Sequence, residues 1–297
     1  MHFIIVVMLL FFLSFFGGGI NMEKYGFIGY GSMASMLMDG FLKTKILQTG
    51  QVMVSTRTKS RLEDLVEKWP GINLAENNMQ LAKECKYIFI CVKPLEVKGV
   101  LDEIIDFLGS DTHLISIAAC VTIKDLETVF PGQITKVIPT FISEVGEGIS
   151  LVCHNSQVSE VNKDNIEKLL NTISTVSIIK EENFEIGADL TSCAVGFIAG
   201  IFQEFVEAGV RQSSLTRKEA EQMVRSTLYG TAKLLCEKDI SFNQTIDRVA
   251  TKGGITEEGV KVLQKGLPFV FDTLLDKTLG KHDKVKAMVR KQFGTEL

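Results

Sequence analysis

Residues 25–42 read YGFIGYGSMASMLMDGFL, an apolar run that passes straight into Gly29, Gly31 and Ala34 and then into a segment whose apolar residues recur at helical spacing. A strand followed by GxGxxA and a helix is a phosphate-binding arrangement. Gly29 permits the tight turn, Gly31 lets the backbone approach a pyrophosphate, and Ala34 allows the helix to pack close to the strand. Free N–H groups at the start of such a helix favour negative charge. The alternation then repeats. QVMVST (51–56), KYIFICV (86–92), THLISIA (112–118) and ITKVIPT (134–140) read as strands, with SRLEDLVEKW (60–69), LEVKGVLDEIIDFL (95–108) and TIKDLETVF (122–130) as the helices between them. Strands this apolar, joined by helices, predict a parallel sheet covered on both faces.

The expected fold class is therefore α/β, a Rossmann-type doubly wound parallel sheet followed by an all-helical half. NIEKLLNTIS (165–174) is amphipathic, a last strand lies around Val176 to Ile179, and from Phe184 onward the chain reads as helices. This divides it into a dinucleotide-binding domain over 22–182 and a helical dimerisation and substrate domain over 183–297.

Composition agrees with that division. The chain has 297 residues, a formal net charge of −4, 45% hydrophobic and 23% charged residues, which excludes disorder, collagen and a polytopic membrane protein. At this length one core stops growing and two domains are expected. A mildly acidic chain without a basic run has no groove for nucleic acid, so none is expected as a partner. Cys85, Cys91, Cys120, Cys153, Cys193 and Cys236 show no CxxC or Cys/His spacing, so no metal site is expected and the six read as buried, reduced thiols of a cytoplasmic protein.

Residues 3–16 form an apolar stretch without a preceding Lys or Arg, ending in Gly17, Gly18 and Gly19, with a second methionine at Met22. The run is short for a membrane span and lacks the basic region and cleavage site of a secretory signal. Residues 1–21 are expected to be translated upstream sequence, a purine-rich ribosome-binding site reading as glycine codons, with Met22 the natural start.

The second strand ends in Ser55, Thr56, Arg57, Thr58 and Lys59, where a site selective for NAD presents an acid to the ribose 2′-hydroxyl. Hydroxyls with Arg57 and Lys59 suit a 2′-phosphate, so NADP(H) is the expected cofactor, with NAD(H) also acceptable. The alternative is that Thr58 or Ser60 simply caps the next helix. At the ends of the third and fourth strands, Val92, Lys93 and Pro94, then Ala118 and Ala119, would line the cofactor crevice, although Lys93 also reads as an ordinary surface lysine.

In the helical half, AVGFIAGIFQEFVEAG (194–209) is apolar nearly all round, and Thr216 with Glu219 forms a capping box at the start of the next helix. So much apolar surface on so small a half predicts a homodimer with interleaved helices. The segment Thr251, Lys252, Gly253, Gly254, Ile255, Thr256, Glu257, Glu258 reads as a glycine turn with Thr256 at a helix N-cap, a nest for a carboxylate. On pattern alone the favoured reading is a capped junction with nothing bound, whose own first-turn acids oppose a second anion.

Together GFIGYGSMA, ICVKP, ISIAA, EVGEGIS, EAGV and KGGITEEGV resemble the pyrroline-5-carboxylate reductase family over essentially all of residues 22–297. The resemblance implies hydride transfer from NAD(P)H to the cyclic imine pyrroline-5-carboxylate, giving proline. It assigns Gly29, Gly31, Ser32, Met33, Arg57, Asn78, Val92, Lys93, Ala118 and Ala119 to the cofactor, to which the strand ends add Thr56 and Pro94, and Thr251, Gly253, Gly254 and Thr256 to the substrate. The Thr256 hydroxyl would donate toward the ring nitrogen as the catalytic contact. His113, His154 and His282 have no place in this scheme and read as packing or surface residues.

Three segments depart from the family pattern: Lys136 to Thr140 replaces its Arg-x-Met-Pro-Asn run, Ser192 to Phe197 its Ser-Gly-Ser-Gly-Pro run, and Lys252 its proline. VIPT, TSC, KGGITEEGV and the terminal VRKQF are similar to a divergent branch of the family, the late-competence (ComER) proteins of spore-forming bacteria, and this likeness reads as nearer than that to the biosynthetic enzymes. That branch implies the alternative function, a dinucleotide-binding regulator of competence or sporulation.

Overall fold

The computed structural model describes residues 23–58 and 60–295; the leader expectation for 1–21 and the contribution of Lys59 lie outside the described residues. The first half alternates β1 (Tyr25–Ile28), α1 (Ser32–Lys43), β2 (Val52–Ser55), α2 (Ser60–Lys68), β3 (Asn73–Leu74), α3 (Asn78–Glu84), β4 (Tyr87–Ile90), α4 (Val97–Ile104), β5 (His113–Ser116), α5 (Ile123–Glu127) and β6 (Gln133–Ile138). It ends with β7 (Ile149–His154), α6 (Glu160–Asn171) and β8 (Thr175–Ile178). The eight strands form one sheet in the order β3-β2-β1-β4-β5-β6-β7-β8. The order reverses beside β1, which opens a crevice at the carboxyl ends of β1 and β4, where ligands of open α/β sheets lie.

The sheet is not wholly parallel. β7 pairs antiparallel with β6, because the short 3-10 turn Phe141–Val145 joins them in place of a crossover helix, and a parallel return needs a dozen or more residues. β7 and the two-residue β3 have no counterpart among the expected strands, and α3 none among the expected helices.

Two cores cover the two faces. On one, α1 and α6 pack through Leu37, Phe41, Ile166 and Leu170 against Phe27 and Phe89, whose rings stack at 4.7 Å. On the other, α3, α4 and α5 contribute Leu81, Val97, Leu101 and Leu126.

Beyond β8 the chain is helical: α7 (Phe184–Leu190), α8 (Ala194–Arg211), α9 (Arg217–Lys238), α10 (Phe242–Val249) and α11 (Ile255–Phe293). The capping box at Thr216 and Glu219 is formed. Val289 and Phe293, in the last turns of α11, return to the second core of the first half. The rest of this half buries little. Val206 is the buried residue of α8 and Ala220 that of α9, while Phe205, Phe242 and Phe269 are 64%, 76% and 77% exposed. Apolar helices this bare in one chain have their packing partner elsewhere. The expectation that every cysteine is buried holds for Cys85 and Cys120, whereas Cys91, Cys153 and Cys193 are half-buried and Cys236, on α9, is exposed.

Candidate active site

The crevice begins at Gly29, which follows β1 with φ +96° and donates its N–H to the Ser55 carbonyl oxygen at 2.8 Å. A Cβ there would lie 2.7 Å from the Cys91 carbonyl oxygen, so left-handed backbone and close approach to β4 both demand glycine. Gly31 is the N-cap of α1, with no side-chain cap over the helix end, and a Cβ on it would meet nothing within 4 Å. The first amides of α1 therefore face open space, a ready place for an anion.

From here a cleft of ≈ 510 Å³ extends between two rims. Thr56, Arg57, Thr58 and Arg61 stand on the β2 side, and Val92, Lys93, Glu96, Val100 and Glu103 on the β4 and α4 side. Asn78, the first residue of α3, closes one end of the cleft. Its Oδ1 accepts from the Ser55 hydroxyl at 2.6 Å and its Nδ2 donates to Glu103 Oε2 at 2.8 Å. Arg57 forms an ion pair with Glu96 across the mouth, and the Arg61 guanidinium donates to the Tyr30 carbonyl oxygen at 3.3 Å. The guanidinium of Arg57 holds the Glu96 carboxyl below the usual range.

Of the expected cofactor residues, Gly29, Gly31, Thr56, Arg57, Asn78, Val92 and Lys93 line this cleft together. Ser32 and Met33 form the first turn of α1 beside it, and Pro94 opens the 3-10 turn Pro94–Glu96 on the far rim. Ala118 and Ala119 follow β5 but lie outside the lining, packed against the second core and a small cluster around Phe184. Sequence reasoning missed Glu96 and Glu103. Their signal is the spacing of 96, 99, 100 and 103, one face of α4 and its preceding turn.

The substrate segment is built differently from expectation. Gly254, not Thr256, is the N-cap, and Thr256 is the second residue of α11. Gly253, at φ +75°, turns the chain so that its N–H donates to Glu257 Oε2 at 2.7 Å. The Gly254 N–H donates to the Thr251 carbonyl oxygen at 2.8 Å. The two glycine amides expected to make the nest are thus engaged within the loop, leaving the first-turn amides of Ile255, Thr256 and Glu257, which precede the first intrahelical bond. The Gly253 amide also depresses the Glu257 carboxyl. Thr251, Gly253 and Thr256 are exposed and none lines the cleft.

His282 on α11 sets Nδ1 3.3 Å from Cys120 Sγ and Nε2 3.4 Å from Asp189 Oδ1, while Thr278 donates to the other Asp189 oxygen at 2.6 Å. This partly buried cluster fastens the C-terminal part of α11 to α7 and to the loop that follows β5. Burial pushes the Cys120 thiol up, so it is not primed as a nucleophile.

Comparison with known proteins agrees with this geometry. Residues 24–120 match the family described as NADP oxidoreductase, coenzyme F420-dependent, and residues 181–285 match pyrroline-5-carboxylate reductase dimerisation. Pyrroline-5-carboxylate reductase 3 of Bacillus subtilis is 41% identical over 91% of this chain and 100% of its own length. The chain belongs to the pyrroline-5-carboxylate reductase family. A second relative, ComE operon protein 4 of the same organism, is 31% identical over 91% of this chain and 99% of its own, so both branches indicated by sequence are found and the reductase shares the larger identity. The pyrroline carboxylate reductase of Plasmodium falciparum, solved with NADP bound, superposes with a TM-score of 0.76 at 26% identity, covering 91% of this chain and 100% of that one. As expected of family members, the chain carries a helical dimerisation region and forms a homo-oligomer. That region includes Glu181–Arg211, a stretch apolar and long enough to cross a membrane by composition alone.

Proposed function

We propose that the protein reduces pyrroline-5-carboxylate to proline with a hydride from NADPH, as a cytoplasmic homodimer. The observation that carries this reading is the cleft. A glycine cradle opens on the bare N-terminus of α1, beside a rim of Thr56, Arg57 and Arg61, and that donor set fits a pyrophosphate followed by a 2′-phosphate. The family relationship supplies the reaction.

In this reading Gly31, Ser32 and Met33 present backbone amides to the pyrophosphate, and Thr56 and Arg57 hold the 2′-phosphate. Asn78 borders the adenosine, while Val92 and Lys93, with Pro94 behind them, form the opposite rim along the cofactor. Ala119, half-buried beyond the end of β5, is placed to border the ring, and Ala118 beside it is buried in the second core. The bound nicotinamide supplies the hydride. The first-turn amides of α11, with Thr251, Gly253 and Gly254 shaping the loop, receive the substrate carboxylate. The Thr256 hydroxyl donates toward the imine nitrogen and holds the adjacent carbon against the ring. A protonated imine is already electrophilic, so the chain needs no strong acid at this site.

The substrate loop comes from the second subunit. His282 is tied to Cys120, next to Ala119, and Thr256 lies roughly 26 residues earlier on the same helix, on the order of 40 Å away at about 1.5 Å per residue. A loop that far from its own crevice cannot roof it. In the dimer, the exposed faces of α8 and α9 join two copies and bring the loop of each to the crevice of the other. The free thiols agree with a reducing compartment.

The test is NADPH oxidation with pyrroline-5-carboxylate as substrate. Saturable turnover to proline is expected. Dinucleotide binding without turnover would overturn the reductase reading and favour the second one, a diverged dinucleotide-binding regulator, which the relationship to ComE operon protein 4 supports.

A further inference from the structure

The ion pair across the mouth of the cleft has a consequence for cofactor choice that rests on the dinucleotide reading above. Arg57 projects from the end of β2 with its side chain 83% exposed, and its Nη2 meets Glu96 Oε1. The second oxygen of Glu96 accepts the Lys93 N–H at 3.3 Å, so the carboxylate is fixed to the turn that follows β4. Both residues line the same cleft. A 2′-phosphate must therefore take Arg57 from Glu96 and settle beside a carboxylate. A 2′-hydroxyl asks neither of these things, and the ion pair stays closed over it.

We propose that Glu96 is a specificity-determining residue: it competes with the 2′-phosphate for Arg57 and so holds down the preference for NADPH over NADH that Arg57 creates. The acid that NAD-selective sites carry at the end of the second strand is absent from β2, and here an acid reaches the same guanidinium from the opposite rim. The arrangement makes a cofactor site that takes both dinucleotides. The effect is bounded by exposure, because a solvated ion pair contributes little and like-charge repulsion at the surface is screened.

Isothermal titration of the full-length protein with NADPH and with NADH, without substrate, tests this directly. Glu96→Gln keeps an acceptor for the Lys93 amide and removes the charge. It is expected to tighten NADPH by about 3- to 10-fold and to leave NADH no tighter. In an Arg57→Gln background the same change is expected to give a clearly smaller gain for NADPH, since the competition needs both partners and only the screened repulsion between carboxylate and phosphate is left. NADPH binding that does not tighten, a gain shared equally by NADH, or a gain undiminished by the loss of Arg57 would each overturn the inference while leaving the dinucleotide site standing. Wild-type protein that binds neither dinucleotide would overturn both.

Discussion

Gly29 and Gly31 are two residues apart, yet the structure assigns them opposite consequences on substitution by alanine. At Gly29 the backbone is left-handed, with φ +96°, which costs an alanine about 1–2 kcal/mol. The added Cβ would also sit 2.7 Å from a main-chain oxygen of Cys91, and a clash with backbone at the end of a central strand costs about another 1–3 kcal/mol. Gly29→Ala should therefore lower the melting temperature by on the order of 10 °C for a chain of this size. At Gly31 the backbone is extended, with φ −97° and ψ −175°, and a Cβ meets nothing. Gly31→Ala should melt within about 2 °C of wild type, since reduced freedom of the unfolded chain offsets any small loss at the cap. Its methyl group nevertheless occupies the space in front of α1, so NADPH affinity should fall by at least about 10-fold, or 1.4 kcal/mol. Scanning fluorimetry and calorimetric titration on the two variants decide the matter. The reasoning is refuted if Gly31→Ala is as unstable as Gly29→Ala, or if it is stable and binds NADPH like wild type.

Thr256→Val should melt like wild type and lose at least about 10-fold in turnover, the size of one hydrogen bond made in the transition state. Because the loop is assigned to the partner's crevice, mixing and reassociating Thr256→Val with Gly31→Ala should restore about a quarter of wild-type activity, from one intact site in the half of the dimers that are mixed; no recovery on verified subunit exchange would place each loop on its own crevice. His113 is fully buried, with Nε2 2.6 Å from the Thr135 hydroxyl, and burial lowers its pKa from 6.5 to about 3. The unfolded chain therefore binds the extra proton between those values, so stability is full above about pH 6.5 and falls as pH drops, by about 1.4 kcal/mol per unit at most. Melting curves from pH 7 to 5 should show that slope, and His113→Leu should flatten it.

The dinucleotide half was legible because its signals are local. A strand, two glycines at fixed offsets and an alanine specify the β1–α1 turn whatever surrounds them, and the strands of the parallel region are apolar on both faces. β7 escaped notice because ISLVCH follows β6 without an intervening helix, and only its pairing with β6 reveals its direction. The N-cap of α11 was displaced from Thr256 to Gly254 for a related reason: a threonine followed by acids has a capping signature, but the left-handed Gly253 already starts the helix two residues earlier. Glu96 was hidden because its partner Arg57 lies on another strand end, and nothing in the local sequence of either residue records their meeting.

The most consequential feature is one that no single-chain motif could disclose. The residues assigned to substrate and those assigned to cofactor are both present, each in sound local geometry, and α11 separates them. The helix is fastened near its C-terminal end, through Val289 and Phe293 to the core of the first half and through His282 to Cys120 and to Asp189 of α7, so its N-terminal end stands on the order of 40 Å from these anchors at about 1.5 Å per residue. A helix of 39 residues is long enough to serve as an arm that reaches another chain. On the reading proposed above, exposed apolar helices and a remote substrate loop are one design seen from two sides: the surface that one chain cannot bury would carry its Thr256 to the place where a second chain holds the dinucleotide.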